Sequence, residues 1–455
     1  MKMRLAEIAK ALQVESAEEW ADVVVTSVSF DTRSLKPGAL FVPLKGEHDG
    51  HDYIQNAISR GAVATLWEEG HENGPTDFPK ITVTDSLAAL QQLAKYYLHK
   101  INPKVVAVTG SNGKTTTKDM IAAILGTQFN VKKTHDNFNN YIGVPITVLA
   151  MEPNTEVLVV EMGMDHFGEL DGLSHLVEPD IAVITMIGEA HIEFFGTRDK
   201  IADAKMEITH GLKEDGVFIY NGDEPLLTQR AKELSQETIT FGNQDSDDFR
   251  GLNIVGNENK TSFRVSKWPD ENFVIPMIGS YNVNNALAAL SVGDYFRISV
   301  KVMLKALSSF ALTKNRTEWV KGSQNERILS DVYNSNPTAA KLVLKAFSQA
   351  ETSGKRIVVL GDMLQLGTRS KEMHAGLAEA IDPEKITSLY LCGDEMEELK
   401  ASLASKFSSA QLHWYRADQK EQLVAALQAE IEPEDLVLLK GSHGIHLEKV
   451  LAALV

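Results

Sequence analysis

In residues 105–118, VVAVTGSNGKTTTK, an apolar run breaks at a glycine-rich turn, reaches Lys-Thr-Thr and passes into a helix-forming sequence. That order of residue types can cradle the phosphates of a nucleotide. Gly110 and Gly113 allow a tight turn that brings backbone N–H groups up to phosphate oxygens, Lys114 supplies a point charge, and Thr115 can offer its hydroxyl to Mg²⁺ at the helix N-terminus. The spacing is the shorter TGxxGKT form, because the glycine usually found five residues before Gly113 is Val108 here. A plain strand-to-helix turn is the alternative, and the strand, Lys and Thr together favour phosphate.

Further residues fall where chemistry would need them. Glu161 ends the apolar run VLVVEMG, and ligands of an open parallel sheet gather beyond the carboxyl ends of its strands. A carboxylate there suits Mg²⁺, which prefers hard oxygen donors, although a capping or solvated glutamate would look the same. His191, in GEAHIEFFG, also follows a strand, and Lys205, in ADAKMEI, lies on a helix starting near Arg198. By themselves these two read as a structural histidine and a solvated lysine. The amide-rich phrase NFNNYIGVP, residues 137–145, and the phrase DVYNSNP, residues 331–337, have the composition of site-forming loops and equally of ordinary irregular ones.

The elements that must hold these residues follow from the pattern. A chain of 455 residues is too long for one core, and about two to four domains are expected, with three the working number. Short β-rich runs from 23 to 64 and a helical pattern at 53–60 indicate a small α/β domain over residues 1–100, with Asn102-Pro103 ending its last helix at 87–100. Apolar runs at 105–109, 157–160, 181–185 and 217–220 alternate with helix-length segments, which predicts a doubly wound parallel sheet in a central domain, residues 101–313. Alternation between 249 and 278 predicts an antiparallel appendage, and an alanine-rich helix covers 284–296. Strand runs at 328–332, 356–360, 389–392 and 436–440 make a third, Rossmann-like α/β domain, residues 314–455. No Lys-Thr cradle recurs there, so that domain completes a site rather than binding nucleotide alone.

Composition narrows the function classes. With 45 basic against 62 acidic residues the net charge is −17, which disfavours nucleic acid as the main partner. The N-terminus has no long apolar stretch and reads as neither signal peptide nor membrane anchor, so a cytoplasmic protein without membrane insertion is expected. Cys392 is the single cysteine and stands in an apolar run, more a small buried hydrophobe than a nucleophile.

The chain resembles the bacterial Mur ligases over nearly its whole length. The resemblance is carried by FDTRSLKPGALFVPLKGEHDGHDYI, TGSNGKTTT, NFNNYIGVP, EMGMDHFGEL, IGEAHIEFFG, AKMEI, NRTEW, DVYNSNP, LGDMLQLG and KGSHG, in that order. It implies an ATP-dependent ligase that acts, within the family, on UDP-N-acetylmuramoyl-tripeptide and D-alanyl-D-alanine. ATP contacts are implied for Gly110, Ser111, Asn112, Gly113, Lys114, Thr115, Thr116, Asn285, Arg316 and Asp331. Mg²⁺, in two sites, is implied at Thr115, Glu161, His191 and Lys205, with Lys205 carrying CO₂ as a carbamate; this reverses the solvated reading of that lysine. Thr32, Arg33 and Gly46 are implied uridine-nucleotide contacts, Asn139 and Asn140 muramoyl-peptide contacts, and Asn334 and Asn336 dipeptide contacts. His443 departs from the arginine common in relatives, which puts any charge role there in doubt. A monomer is expected, and so is a hinge near residues 311–315 that closes the third domain over ATP. A ligase for another Mur intermediate, a folate-type glutamate ligase and a non-catalytic nucleotide binder are the alternatives.

Overall fold

The computed structural model describes residues 1–455 apart from Ser16, Glu258 and residues 311–314. Residues 311–314 of the expected hinge, and with them the junction at 312–313, lie outside the described residues. The chain divides into two compact units: one holds residues 1–108, 128–182 and 207–217, the other residues 109–127, 183–206 and 218–455.

In the first unit, Ser27–Ser29, Ala39–Phe41, Ala62–Glu68 and Lys80–Val83 form a four-stranded parallel sheet in that order. The helix Ser86–Ile101 opens with Asp85, whose carboxylate accepts from Ala88 N–H, and stops at Asn102 in the left-handed conformation. It buries Leu90, Leu93, Ala94 and Tyr97 on one face. Lys104–Thr109 pairs in parallel with Val157–Glu161, which pairs in parallel with Val131–Lys133. Val157–Glu161 is buried from end to end, as a strand covered on both faces must be. Val131–Lys133 has no counterpart among the strand runs of the sequence, because two lysines in a three-residue strand erase its apolar signal.

In the second unit the helix Lys114–Leu125 follows the phosphate-type loop, and Arg198–Met206 carries Lys205 near its end. Glu237–Gly242 pairs in parallel with Phe249–Gly256, and Thr261–Val265 and Trp268–Ile275 continue antiparallel, the expected appendage. The helix Tyr281–Tyr295 is buried almost all round. The C-terminal sheet has six strands in the order Glu318–Lys321, Arg327–Asp331, Leu436–Lys440, Arg356–Gly361, Ser388–Cys392, Leu412–Tyr415; only the first pairing is antiparallel. The four inner strands match the apolar runs of the sequence. The outer two are half exposed and lack such runs. Cys392 is fully buried, and burial pushes its thiol up to about 11, so it is an inert apolar group at neutral pH.

Candidate active site

The phosphate-type loop is built by close approach. Gly110 has φ +149°, and a Cβ there would lie 1.8 Å from Thr185 Oγ1; Gly113 has φ +82°, and its Cβ would lie 2.3 Å from Asn285 Oδ1. Both positions therefore exclude a side chain, Gly113 also by its left-handed backbone. Thr185 Oγ1 donates to Asn112 O at 2.5 Å, and Ser111 Oγ donates to Gly188 O at 3.2 Å. Lys114 folds back to donate to Gly110 O at 2.8 Å. Thr115 and Thr116 are buried in the first helical turn, and Thr115 Oγ1 accepts from Arg316 Nη2 at 3.3 Å. Asn285 Oδ1 accepts from Thr117 Oγ1 at 3.2 Å while its amide donates to Asn282 Oδ1 at 3.0 Å, so the side chain bracing Gly113 is itself held from both sides.

Beside this loop lies a cavity of about 370 Å³, within the size range of small-ligand sites. Asn112, Gly113, Thr116, Asn285, Arg316, Asp331 and Asn334 line it, which brings together residues far apart in sequence. Asn284 also lines it, and its Oδ1 is buried with no hydrogen-bond partner. A buried polar atom of that kind calls for a polar ligand group. At the far wall Lys440, 1% exposed, donates to Asp331 Oδ2 at 2.6 Å and to Asn334 O at 3.0 Å. Thr317 N–H donates to Asp331 Oδ1 at 3.3 Å. Arg316 lies 3.9 Å above the Tyr333 ring, whose plane stacks against His443. Burial pushes the Tyr281 phenol well above its ordinary value, and the Asp331 charge adds to it.

Sequence reasoning singled out neither Lys440, Tyr281, Asn284 nor Tyr333. Lys440 could have been noticed as a lysine closing a fully apolar strand, where an unpaired charge is not tolerated. Asn336, expected as a dipeptide contact, has its amide on Asn112: Nδ2 donates to Asn112 Oδ1 at 2.8 Å. Lys205 is 2% exposed. Burial first, and then the Lys114 charge, hold its amine far below the usual lysine range. His191 adopts φ +63° and precedes the short helix Ile192–Phe195.

In the first unit Glu161 is 2% exposed, and its Oε1 accepts from Asn139 Nδ2 at 2.9 Å while its N–H donates to Thr134 Oγ1 at 2.9 Å. Asn140 Oδ1 accepts from the N–H groups of Ile142 and Gly143. Arg33 is exposed and pairs with Asp31 at 2.9 Å; Thr32 sits between them, and Gly46 lies in an exposed turn. Near Gly46, Asp49, His51 and His71 bring ligand-type atoms close together. His51 Nε2 accepts from Glu68 N–H at 3.4 Å, which places its proton on Nδ1, 2.6 Å from Asp49 Oδ1. His71 Nδ1 bonds Glu72 O at 2.9 Å and its Nε2 lies 3.2 Å from Asp49 Oδ2. A carbonyl on one nitrogen and a carboxylate on the other suit a doubly protonated ring, so the trio works as a hydrogen-bonded clamp between two loops. Burial disfavours ionised Asp49, but the His51 and His71 hydrogen bonds outweigh it and hold the carboxyl at about 2. The Glu72 carbonyl, and then Asp49, raise His71 above its ordinary value against the effect of burial.

Residues 24–98 match the Mur ligase family catalytic domain, residues 108–293 the Mur ligase middle domain, and residues 315–443 the Mur ligase glutamate ligase domain. The chain is 43% identical over 438 residues to the UDP-N-acetylmuramoyl-tripeptide–D-alanyl-D-alanine ligase of Bacillus subtilis (strain 168), covering 96% of this chain and 94% of the relative. Among solved structures it is similar to MurF from Acinetobacter baumannii, with TM-score 0.88, 26% identity and 99% and 98% of the two chains covered. It is also similar to the MurF ligase from Thermotoga maritima in complex with ADP, with TM-score 0.81, 29% identity and 94% and 97% covered. No helix among the described residues is long and apolar enough to cross a membrane. With a glycine loop braced by asparagine, a buried lysine of low proton affinity and all three family domains in order, the chain belongs to the Mur ligase family.

Proposed function

We propose that the chain is an ATP-dependent carboxylate–amine ligase joining D-alanyl-D-alanine to UDP-N-acetylmuramoyl-tripeptide, with ADP and phosphate as the other products. The observation that carries the substrates is the 43% identity across 96% of the chain to a relative of that name. The braced glycine loop carries the nucleotide. ATP and soluble precursors place the reaction in the cytoplasm.

A carboxylate is a poor electrophile and must first be activated. The terminal carboxylate oxygen of the tripeptide attacks the γ-phosphorus of ATP, and the bond to the β,γ-bridging oxygen breaks with its electron pair leaving on ADP. The free-base amine of the dipeptide then attacks the acyl carbon. Phosphate departs carrying one oxygen of the original carboxylate, and the nitrogen loses a proton as the amide forms. Catalysis is mainly positional and electrostatic. Lys114 and the N–H groups of Asn112–Thr115 offset charge on the transferred phosphoryl group, while Asn285, Arg316 and Asp331 hold the rest of the nucleotide. Thr32, Arg33 and Gly46 bind the uridine nucleotide, Asn139 and Asn140 the muramoyl peptide, and Asn334 the dipeptide. Closure of the third domain excludes water from the acyl phosphate.

Thr115 and Glu161 offer hard oxygen donors of the kind Mg²⁺ takes. In this reading Thr115, Glu161, His191 and Lys205 would hold Mg²⁺, which would supply charge neutralisation to the phosphate oxygens. The buried, poorly basic Lys205 fits that set as a carbamate: its neutral amine adds to CO₂, loses one proton and becomes an anionic oxygen donor. A carbonyl-carbon resonance from ¹³C-bicarbonate, present in the native chain and absent in Lys205→Ala, tests this. The ligase reading itself is tested by phosphate release and product mass with ATP, Mg²⁺, dipeptide and lysine- or diaminopimelate-containing tripeptide. Release must need every component; release independent of the dipeptide would refute it.

A further inference from the structure

We infer that Asn336 is a positioning residue for ATP that acts through Asn112 of the phosphate loop, an inference that rests on the ligase reading above. The two side-chain amides exchange hydrogen bonds: Asn112 Nδ2 donates to Asn336 Oδ1 at 3.2 Å, and Asn336 Nδ2 donates back to Asn112 Oδ1 at 2.8 Å. Asn336 Oδ1 also accepts from Ala339 N–H at 3.0 Å, so the same atom caps the helix Pro337–Gln349. The next turn position, Thr338, gives its N–H at 3.2 Å and its hydroxyl at 2.8 Å to Glu189 Oε2. Glu189 follows Gly188, whose carbonyl accepts from Ser111, and stands two residues before His191. One helix N-terminus therefore grips the phosphate loop through Asn112 and the His191 loop through Glu189, where the helix dipole favours a carboxylate.

The grip on Asn112 is two-sided. Its carbonyl accepts from Thr185 Oγ1 at 2.5 Å, and its side chain is held by Asn336, so the peptide planes around Asn112 cannot rotate without breaking one of these contacts. Those planes carry N–H groups that must point at phosphate. Asn336 is 1% exposed, and a lost partner there would not be replaced freely by water. Its amide is already engaged on Asn112 and Ala339, which leaves it little capacity to read a dipeptide directly. The N-terminus of the helix Pro337–Gln349 thus orders the nucleotide loop through Asn336.

Asn336→Ser tests this in the full-length chain. Serine keeps the helix cap, stays neutral and is too short to reach Asn112. The expected result is an about tenfold fall in kcat/KM for ATP and in ATP affinity measured by calorimetry, with KM for D-alanyl-D-alanine unchanged and the melting midpoint within about 3 °C. Asn112→Ala should show the same fall, and the double variant should be no worse than the poorer single one. A raised KM for the dipeptide with unchanged ATP kinetics would overturn the inference, as would an additive, about hundredfold loss in the double variant. The native chain in the same assay tests the ligase reading separately, and ATP affinity reads the Asn112–Asn336 pair whatever the acceptor.

Discussion

The phosphate loop and the Arg33 turn are both expected to bind nucleotide phosphates or their neighbours, yet they are built in opposite ways. Around Gly113 the backbone is held by side chains from distant segments: Asn285 against its α-carbon, Thr185 on Asn112 and Arg316 on Thr115. Around Arg33 the side chain bonds locally, to Asp31 two residues away, and the guanidinium stays in solvent, while a single distant side chain, Arg60, donates to the Arg33 carbonyl at 3.3 Å. The first region is braced by side chains from across the chain; in the second the guanidinium is held by a solvent-exposed pair with Asp31. Substitutions that disturb the bracing of the first should therefore damage folding and nucleotide binding together, and those in the second should move substrate affinity alone.

The largest effect is expected at Lys114. Lys114→Met removes the loop's point charge from the transferred phosphoryl group, and phosphate release should fall by about a thousandfold with the melting midpoint nearly unchanged. Next comes Lys440→Met, which strands the Asp331 carboxylate in the cavity wall and should cost about 3–5 kcal/mol in denaturant unfolding. Adding Asp331→Asn should recover much of that loss, and a failure to recover would show that the ion pair is not the cause. Gly113→Ala introduces a Cβ 2.3 Å from Asn285 Oδ1 at φ +82° and should cost about 1–3 kcal/mol and weaken ATP binding. Asn285→Ala in that background relieves the clash but not the backbone strain, so recovery should be partial. Arg33→Ala should raise KM for the UDP-muramoyl substrate and leave thermal stability where it was. A lowered melting midpoint there would erase the contrast between the two regions.

The loop clamp near Gly46 gives a smaller, pH-dependent effect. Asp49, held at about 2, stabilises the fold above its ordinary value of 3.8 and loses that contribution as pH falls through about 2. His71 is raised, so its contribution is complete below its ordinary value of 6.5 and disappears as pH rises through the higher folded value. Between these limits both act. The gap in melting midpoint between the native chain and His71→Gln should therefore be widest near pH 5 to 6 and shrink above pH 7; a constant gap across that range would remove the clamp from the account.

What was legible in the sequence follows the same division. The glycines, Lys114 and Thr115 stand in one short phrase because the loop is local in chain terms, and fully apolar runs marked the buried strands on either side of it. The outer strands Glu318–Lys321 and Leu412–Tyr415 were not legible, since half-exposed strands need no continuous apolar run. The cavity's partners were harder still. Lys440 matters through its pairing with Asp331, 109 residues away, and Asn284 through the cavity it lines, and neither periodicity nor spacing encodes these. Lys205 shows the limit most plainly: its helix reads as ordinary and solvated, and only packing reveals that its amine is buried beside the Lys114 charge.

The central claim is that the tripeptide carboxylate is phosphorylated before the amide forms. Tripeptide labelled with ¹⁸O in its terminal carboxylate, turned over with ATP, Mg²⁺ and D-alanyl-D-alanine, tests it most directly through the mass of the released phosphate. The account predicts one ¹⁸O atom transferred into phosphate for each amide bond formed. Unlabelled phosphate released alongside labelled amide product would contradict it.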